Sequence, residues 1–417
     1  MKFVGDFHIH SKYSRACSPL MDLENLDRWA QIKGIKVMGT GDFTHPVWIE
    51  EIKQKLSPAE RGLFKLRGAD SQTRFILTTE ISCIYTKGGK VRKVHIIIFA
   101  PSIEAVEKIN IELNKVGNTD YDGRPILGLD AKELAKIVFN IDENCLIVPA
   151  HAWTPWFSIF GSKSGFDSLE ECFEYYTKYI YAIETGLSAD PKMFWRISKF
   201  DNITLLSNSD SHSAPKIGRE ANVFDAELSY EGIAGAIKKD SKNKILNTIE
   251  FFPEEGKYHF DGHKDCKISF SPAESKKHKN ICPVCKKPLV IGVLNRVEEL
   301  ADRPEGFMPK NATPFKSLIP LQEIIAESIF SSVASKKTTE HYNNLIKNVG
   351  NEFKILLDTE RKEIEKFSLP EIAEGIFRVR DGKVIIEPGY DGVYGKIKIF
   401  SDQEKVGIKG KKQNKLF

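Results

Sequence analysis

The 417-residue chain has no apolar run long enough to cross a bilayer and no signal-peptide pattern before its first strand-like segment. Its seven cysteines are odd in number and unevenly spread, which does not suggest a secreted disulfide framework. Neither sign of charge is in large excess, since 61 Lys and Arg residues face 57 Asp and Glu residues. The net charge of +4 therefore does not by itself indicate a nucleic-acid binder. These absences exclude a membrane protein and a disulfide scaffold, and they predict a cytoplasmic globular protein with no membrane partner.

What the sequence does contain is an alternation of strand-like and helix-like segments. Amphipathic stretches separate most of the strand-like runs, and one of them has Asp22 as its predicted N-cap and Gly34 as its predicted end. This alternation predicts parallel strands joined by crossover helices. About seven such units suit a closed or nearly closed barrel better than a short open sheet. The strand-like runs are KFVGDFHIH, IKVMGTGDFTH, RFILTTEIS, KVHIIIFAP, CLIVPAHAW, YIYAIETG and ITLLSNSDSH.

Side chains that can bind a metal recur at the ends of these runs. His8 and His10 lie two residues apart, so a strand places both imidazoles on one face. Because the carboxyl ends of parallel strands share one face of the fold, the whole set indicates a metal centre there. Any single member can instead orient a true ligand. The candidate ligands are His8, His10, Asp42, His45, Glu80, His151, Asp210 and His212, with His95 inside its own run.

Taken in order, the motifs HIH, GDFTH, TTE, VHII, PAH and SDSH resemble those of the polymerase and histidinol phosphatase (PHP) superfamily over roughly the first 230 residues. The resemblance implies a distorted seven-stranded β/α barrel that holds two or three divalent metals (Zn, Mg or Mn) and hydrolyses phosphoesters. It implies a first metal held by His8, His10, Glu80 and Asp210. It implies a second metal held by Glu80, as a bridge, with His95 and His151, and a third held partly by His45 and His212.

One stretch departs from the family pattern. Many members carry an acidic or histidine ligand just after the HxHxxxS stretch, where this chain reads Ser14-Arg15-Ala16-Cys17. The guanidinium of Arg15 cannot bind a metal but suits a phosphate, so Arg15 joins Glu80 and Asp210 as a catalytic candidate. The third metal site is then either incomplete or completed by Asp42 or water. Cys17 is either a soft ligand or a small buried thiol.

The expected chemistry follows from the ligands. Two metals about 4 Å apart activate water at neutral pH and neutralise charge on a phosphodiester. The sequence has no GxSxG motif and no Cys–His arrangement clear of the metal set. A covalent nucleophile is therefore not predicted.

A second metal centre is predicted further along the chain. Cys282 and Cys285 form a C-x₂-C turn, and His263 and Cys266 offer the same spacing upstream. Together they predict a closed tetrahedral Cys₃His site for one structural zinc. A redox C-x₂-C pair is the alternative reading, but a thioredoxin-like context is missing. The alternative fourth ligands are His259 and His278.

The length and these motifs predict a chain of several parts. A barrel with the catalytic metals is expected over 1–240, and a zinc module over 241–295. A helical and β-stranded DNA-binding region is expected over 296–400, followed by a basic, disordered tail over 401–417. Scattered arginines in the second half form either a nucleic-acid clamp or ordinary solvated faces. The most notable are Arg296, Arg303, Arg378 and Arg380.

The stretches DGHKDC…CPVCKKPL, RVEELADRPEG and PGYDGVYGKI, added to the PHP motifs, resemble the archaeal endonuclease Q family over nearly the whole chain. The resemblance implies a DNA repair endonuclease that nicks double- or single-stranded DNA on the 5′ side of uracil, hypoxanthine, xanthine and abasic sites. Such an enzyme must hold a base outside the stack. The loop after His151 offers aromatic side chains that either stack on that base or pack the barrel rim. These candidates are Trp153, Trp156, Phe157 and Phe160.

Two other functions compete with this one. A small-molecule phosphatase of the histidinol-phosphate kind would share the metal set but would not need a zinc module or a strand-rich tail. A non-catalytic DNA-binding module on a decayed scaffold would lack ligands, and nearly all are present here.

The C-terminus suggests a further partner. Gln413 and Leu416 resemble the start of a sliding-clamp-binding box, although the two later aromatics of that box would lie beyond Phe417. The match is either a shortened box or an accident in a basic tail near DNA. A clamp tether would raise the local concentration of a repair nuclease at DNA.

Overall fold

The computed structural model describes residues 1–406 of the chain. Its strands are β1 (Lys2–Asp6), β2 (Val37–Gly39), β3 (Leu56–Pro58), β4 (Phe64–Leu66), β5 (Arg74–Lys87), β6 (Lys90–Ala100), β7 (Ile126–Leu127), β8 (Leu146–Pro149), β9 (Ala182–Glu184), β10 (Thr204–Leu206), β11 (Ala221–Asp225), β12 (Lys244–Glu250), β13 (Asp261–His263), β14 (Ile268–Phe270), β15 (Phe315–Ser317), β16 (Ile385–Glu387) and β17 (Lys396–Lys398).

Its α-helices are α1 (Leu23–Lys33), α2 (Pro46–Lys55), α3 (Ile103–Val116), α4 (Ala131–Ile141), α5 (Leu169–Phe173), α6 (Pro191–Trp195), α7 (Tyr230–Ile237), α8 (Pro272–Lys277), α9 (Val293–Leu300), α10 (Leu321–Ser328), α11 (Lys336–Asn348), α12 (Arg361–Phe367) and α13 (Pro370–Arg380). Within the described residues, no helix is long and apolar enough to span a membrane.

Helix α1 begins and ends where the sequence predicts. The side chain of Asp22 accepts a hydrogen bond from the backbone of Asn25, which satisfies one of the free N–H groups of the first turn. Gly34 ends the helix with a φ of +89°, a conformation that suits glycine. A Cβ at Gly34 would also lie 2.4 Å from the Asn351 side chain, so α1 packs closely against the C-terminal part of the chain.

The central sheet is mixed rather than all-parallel, which corrects the sequence prediction. Strands β1, β2 and β5 pair in parallel, but β6 runs antiparallel to both β5 and β8. The reason is the turn at Gly88 and Gly89, whose φ values of +60° and +71° join β5 and β6 as a two-residue hairpin. A crossover helix does not fit into such a connection.

Eight strands contribute side chains to one buried apolar cluster. Strands β1, β2, β5, β6, β8, β9, β10 and β11 contribute Phe3, Val37, Ile76, Ile97, Phe99, Leu146, Val148, Ala182, Leu206 and Phe224. Loop hydrogen bonds continue the strand pairing around this cluster. Ala152 donates to the carbonyl of Glu184 beyond β8, and His10 donates to the carbonyl of Ser211 beyond β1. The chain segments that follow β1, β8, β9 and β10 therefore meet at one end of the cluster.

The sheet also continues past the predicted first boundary. Strand β12 pairs with β11, and β15 returns from beyond the predicted zinc module to pair in parallel with β12. Strand β12 therefore extends the central sheet beyond residue 240, the end predicted for the barrel. Helices α10 to α13 and the β16–β17 hairpin follow.

Part of the predicted tail, residues 401–406, lies within the described residues. Residues 402–406 form a helical turn. The carboxylate of Glu404 lies 2.6 Å from the Arg378 guanidinium, which holds this turn against α13. Gln413 and Leu416, the clamp-binding candidates, lie outside the described residues.

Candidate metal centre and adjoining cleft

Two groups of candidate ligands meet at the end of this apolar cluster. In each group the potential ligand atoms lie within 4.8 Å of one another. One group is His8, His10 and Asp210, and the other is Glu80, His95 and His151. Glu80 contacts both groups, because its carboxylate lies 3.4 Å from His10 Nε2 and 2.8 Å from His95 Nδ1. Glu80 therefore lies between the two groups of candidate ligands.

Three of the ligand positions have unusual backbone conformations. Asp42, His151 and Asp210 have φ values of +50°, +28° and +45°. For residues other than glycine, such φ values cost free energy, and residues held in them are concentrated at functional sites. At His151 the neighbouring backbone is Gly186, where a Cβ would lie 2.5 Å from the His151 Cβ.

Glu184, which the sequence analysis missed, connects the two groups. Its carboxylate is fully buried and lies 3.0 Å from His8 Nδ1. It also accepts hydrogen bonds from Asn208 Nδ2 at 2.9 Å and from the backbone N–H of His151 at 2.8 Å. One side chain thus fixes the ring of His8 and the backbone of His151. The available signal was its position at the end of the run YIYAIETG, where other runs carry their ligands.

The unsatisfied atom at the centre fits a cation. His8 Nε2 is buried without a hydrogen-bond partner within the described residues, and it faces Glu80 Oε1 at 3.6 Å and Asp210 Oδ1 at 3.7 Å. Burial opposes the charged form of His8, but these carboxylates and Glu184 raise its pKa well above the ordinary value. A place that favours positive charge among buried carboxylates is also suited to a divalent metal.

His95 has the protonation state that a ligand needs. Burial lowers the pKa of His95 to about 4, although the nearby Glu80 carboxylate acts in the opposite direction. The imidazole is therefore neutral near pH 7 and offers a lone pair.

The remaining candidates for a third metal do not form a ligand group of their own within residues 1–406. The carboxylate of Asp42 accepts hydrogen bonds from Ser11 N and Ser14 Oγ and lies 3.0 Å from His10 Nδ1, so it orients His10. His45 stacks on Tyr13 with ring centroids 4.4 Å apart.

His212 keeps its Nδ1 atom 3.0 Å from the carbonyl of Asp210. Burial raises the pKa of the Cys17 thiol to about 12, which makes Cys17 a protonated thiol rather than a ready ligand.

The guanidinium beside the ligands belongs to Arg124 rather than to Arg15. Arg15 is exposed, and its backbone N–H donates to Asp122 Oδ1. Arg124 instead lies with Nη1 3.2 Å from Glu80 Oε2. No motif in the sequence singles out Arg124, because its loop reaches the centre only through tertiary packing.

A cleft of about 860 Å³ adjoins the second ligand group. His95, His151 and Arg124 line its inner end. Its aromatic side chains come from three separate stretches of the chain and are Trp156, Phe157, Phe251, Tyr258 and Tyr394. Sequence reasoning missed the last three, along with His259 and Arg219 on the same walls, because they lie far from the loop after His151.

The predicted base-stacking loop divides into two pairs. Trp156 is 43% exposed in the cleft, and the Phe157 ring lies 5.0 Å from the His95 ring. Trp153 and Phe160 are at most 1% exposed and pack against each other and against the neighbouring Phe194 and Phe200 rings. The prediction is therefore wrong for Trp153 and Phe160, since core packing leaves their faces unavailable to a base.

The predicted zinc ligands come together beside the cleft. Atoms of His263, Cys266, Cys282 and Cys285 all lie within 4.8 Å of one another. The β13–β14 hairpin carries the first two residues, and a tight turn closed by the bond from Lys286 N to the Cys282 carbonyl carries the others. The two alternatives lie elsewhere: His259 lines the cleft, and His278 stacks on Phe270.

The four arginines singled out from the sequence are engaged within the protein. Arg296 is buried, and it donates to the carbonyls of Phe160 and Phe166 and pairs with Asp167. It thereby fastens α9 to the loop that follows β8. The other contacts are Arg303 with Asp201, Arg378 with Glu374 and Glu404, and Arg380 with the backbone of Ile355 and Leu356. A clamp made of these four side chains is therefore the wrong reading, because their donors already have partners.

The whole chain is similar to solved structures. A crystal structure described as the novel lesion-specific endonuclease PfuEndoQ from Pyrococcus furiosus matches with a TM-score of 0.86 and 33% identity, covering 97% of each chain. A structure of Endonuclease Q with a 27-mer duplex substrate that has an abasic lesion at the active site matches with a TM-score of 0.83 and 33% identity. That match covers 96% of this chain and 98% of the other.

Sequence comparisons find a further relative and a family model. The protein MJ0043 of Methanocaldococcus jannaschii is 36% identical over 293 residues, which are 67% of this chain. The match covers only 36% of MJ0043, so this chain spans about a third of that relative. A family described as the MJ0043 C-terminal domain matches residues 320–383. Because the structural likeness to endonuclease Q extends over 97% of both chains at 33% identity, the chain belongs to the endonuclease Q family.

Proposed function

We propose that the protein is a DNA repair endonuclease that hydrolyses the phosphodiester on the 5′ side of deaminated bases (uracil, hypoxanthine and xanthine) and of abasic sites. The observation that carries the proposal is the direct contact between the ligand groups and the cleft, which share His95 and His151. A nucleotide turned out of a duplex into this cleft has its phosphate at the ligands and its base among aromatic rings. The abasic-site duplex held by the related endonuclease supports DNA as the partner.

The aromatic side chains give the cleft the character of a base pocket. Trp156 and Tyr394 are 43% and 69% exposed, so their faces are free to stack. The Lys257 ammonium lies 5.7 Å from the rings of both Tyr258 and Tyr394, which adds positive charge at the mouth of the cleft. A lesion without a base still presents its phosphate and sugar to the same ligands.

The ligands divide the work at the phosphate. We assign His8, His10 and Asp210 to one divalent cation, His95 and His151 to a second, and Glu80 to both. His45 and His212 would hold part of a third cation site, which Asp42 or water would complete. Cations bound there supply the charge neutralisation and the acidity that a phosphodiester needs in order to react with water. The reaction forms a bond between a water oxygen and phosphorus and breaks one bridging P–O bond, while the proton of the water ends on the leaving oxygen. Glu184 and Asp42 keep the imidazoles turned toward the phosphate throughout.

The finer parts of the fold belong to the same proposal. Strands β1, β2, β5, β6, β8, β9 and β10, which all contribute to the apolar cluster, form the seven-stranded distorted barrel of the PHP superfamily. The zinc module holds one structural zinc through His263, Cys266, Cys282 and Cys285, because a segment of this size has little core of its own. Damaged DNA as the substrate also accounts for the cytoplasmic location expected from the sequence.

Cleavage assays on defined duplexes test the function. The wild-type protein with Mg²⁺, Mn²⁺ or Zn²⁺ is expected to nick uracil-containing and abasic duplexes 5′ of the lesion and to spare the matched undamaged duplex. Glu80→Ala and Asp210→Ala are expected to abolish nicking while keeping most of the DNA affinity, since phosphate contacts elsewhere supply most binding. The surface variant Glu133→Ala serves as the control.

Each alternative function has its own outcome in the same assay. Hydrolysis of a nitrophenyl phosphomonoester with all duplexes left intact would indicate a small-molecule phosphatase. Tight DNA binding without any hydrolysis would indicate a binding module. Nicking that survives in Glu80→Ala would remove the bridging role assigned to Glu80.

Sliding-clamp binding through Gln413 and Leu416 remains a separate proposal. Titration calorimetry of the clamp against this protein and against a variant with Gln413→Ala and Leu416→Ala tests it. Binding by the wild-type protein that the double variant loses supports the tether, and no heat from the wild-type protein at micromolar concentrations rejects it.

A further inference from the structure

We propose that Arg124 is a catalytic residue that contacts a non-bridging oxygen of the scissile phosphate. This inference rests on the proposed function, and it moves to Arg124 the phosphate role that the sequence suggested for Arg15.

The position of Arg124 is the first argument. Its Nη1 atom lies 3.2 Å from Glu80 Oε2, and its side chain lines the cleft beside His95 and His151. Arg124 therefore lies between the ligand groups and the aromatic walls. The phosphate of a nucleotide whose base enters the cleft has to pass through this place.

The loop that carries Arg124 is held rigidly against the ligands. A Cβ at Gly123 would lie 2.3 Å from Asp42 Oδ2 and 2.5 Å from Ser14 Oγ, so the backbone before Arg124 touches the centre itself. The carbonyl of Pro125, on the other side, accepts a hydrogen bond from Ser82, two residues beyond Glu80. Anchors on both sides mean that the guanidinium is positioned before substrate binds, which is the condition for electrostatic catalysis.

The donors of Arg124 are only partly used. A guanidinium has five N–H donors, and within residues 1–406 the recorded contact of this one is with Glu80 alone. Arginine keeps its positive charge in proteins, so this guanidinium is a cation beside the ligand groups. Its remaining donors suit the fork-like contact that arginine makes with phosphate oxygens.

The other arginines near the centre are less well placed. Arg219 also lines the cleft, but its Nε and Nη2 atoms donate to the carbonyls of Ser209 and Asp210. These bonds support the backbone under Asp210. Arg15 is exposed and makes no side-chain ion pair within the described residues.

Single-turnover cleavage of an abasic duplex by Arg124→Ala, Arg124→Lys and Arg15→Ala tests the assignment. The exposed Arg61→Ala variant is the matched control, because the Arg61 side chain is 83% exposed and pairs only with Glu231 in the described residues. We expect Arg124→Ala to slow cleavage about 100-fold or more, the usual loss for one preorganised donor. Arg124→Lys should recover part of the rate, and Arg15→Ala should lose much less.

Two further measurements separate phosphate contact from support of Glu80. The metal content of Arg124→Ala should stay within about threefold of the wild-type value. The affinity of this variant for DNA, measured in EDTA, should stay within the same range. Duplexes with a single phosphorothioate at the scissile position, as separated diastereomers, should reveal the contact directly. For one diastereomer, the slowing caused by sulfur in the wild type should largely disappear in Arg124→Ala.

Three results would overturn the inference. These are wild-type rates in Arg124→Ala, full recovery of that variant by excess metal, or sulfur effects that are identical in the variant and the wild type. A wild-type protein that left every damaged duplex intact would instead overturn the proposed function, and this inference with it.

Discussion

Glu184 shows how much of the metal centre depends on a residue that does not face the substrate. Its carboxylate binds His8 Nδ1, Asn208 and the His151 backbone at 2.8 to 3.0 Å. Partners of this kind fix which imidazole nitrogen is free and where the ring points. Glu184 therefore holds His8 and His151 in the positions from which they can bind a metal.

Glu184→Ala is expected to lower the affinity for divalent metal by about 10- to 100-fold, the usual effect of removing a partner of a ligating histidine. Calorimetric titration with Zn²⁺ or Mn²⁺ measures the loss without any need for turnover. The surface variant Glu112→Ala, whose carboxylate pairs only with Lys115 in the described residues, should bind metal like the wild type. Unchanged affinity in Glu184→Ala would show that His8 and His151 need no such support.

Glu250 makes stability depend on pH. It is fully buried, and its carboxyl group accepts hydrogen bonds from Thr185 and Thr248. Burial raises its pKa to about 8, and burial also raises the pKa of the neighbouring Glu220. Glu250 therefore keeps a proton in the folded state that it releases at about pH 4.3 in the unfolded state. The stability contributed by this proton is complete below that pH and is lost as the pH rises to about 8.

The variant Glu250→Gln should remove one such contribution. The free energy of unfolding of the wild type should fall between pH 5 and 8, with a slope of at most about 1.4 kcal/mol per pH unit from this group. The slope should be smaller in Glu250→Gln, whose amide does not ionise. Denaturant unfolding at several pH values measures it, with the exposed Glu227→Gln as the control that keeps the wild-type slope. Equal slopes in all three proteins would mean that Glu250 is ionised when folded.

Residues at strand ends were accessible from the sequence, and residues brought in by loops were not. The sequence identifies His8 and His10 because their two-residue spacing coincides with the end of a strand-like run. Arg124 has no such signal, since its loop reaches Glu80 only after β7 pairs with β5. Trp153 and Trp156 look equivalent in the sequence, and only packing separates the buried ring from the exposed one.

At the scale of elements, the meeting of His263, Cys266, Cys282 and Cys285 was predictable because ligand spacing is a local property. The antiparallel β6 was not predicted, although Gly88 and Gly89 mark its hairpin in the sequence. The strand-and-helix rhythm outweighed that turn signal, because each strand taken alone fits either direction of pairing.

Cys282→Ser should lose about one zinc per chain, as measured by elemental analysis of the purified protein. It should also lower the melting temperature, because metal binding and folding of such a module are coupled. Cys145→Ser removes a thiol that is buried at the start of β8, away from the ligand group, and should keep its zinc. Unchanged zinc content in Cys282→Ser would refute the four-ligand assignment.

At the scale of the whole molecule, a buried ion pair joins the first unit to the C-terminal helices. Lys33 at the end of α1 lies 2.7 Å from Glu352, and both side chains are at most 5% exposed. Glu352 also accepts hydrogen bonds from Leu321 N and the Tyr342 hydroxyl. One carboxylate therefore holds together α1, α10 and α11. No local pattern predicts this joint, because its two charged residues lie more than 300 positions apart.

Glu352→Ala should destabilise the protein by about 3 to 5 kcal/mol, because it leaves the Lys33 charge buried and unpaired. The double variant Lys33→Met with Glu352→Gln should regain most of this loss, since it removes both charges and keeps an acceptor for Tyr342. Urea unfolding followed by circular dichroism measures both values. A double variant no more stable than Glu352→Ala would mean that the unpaired charge is not the cause.

The cleft has walls that are far apart in sequence, and this fixes when substrate selection can arise during synthesis. All candidate ligands of the metal centre precede residue 213, but the opposite wall needs Phe251, Tyr258 and Tyr394. At about 5 to 20 residues per second, the ribosome takes roughly 10 to 35 s to travel from His212 to Tyr394. A nascent chain therefore has the means to bind metal well before it has a pocket for a damaged nucleotide. On the proposed function, discrimination between damaged and intact DNA becomes possible only after Tyr394 has been synthesised.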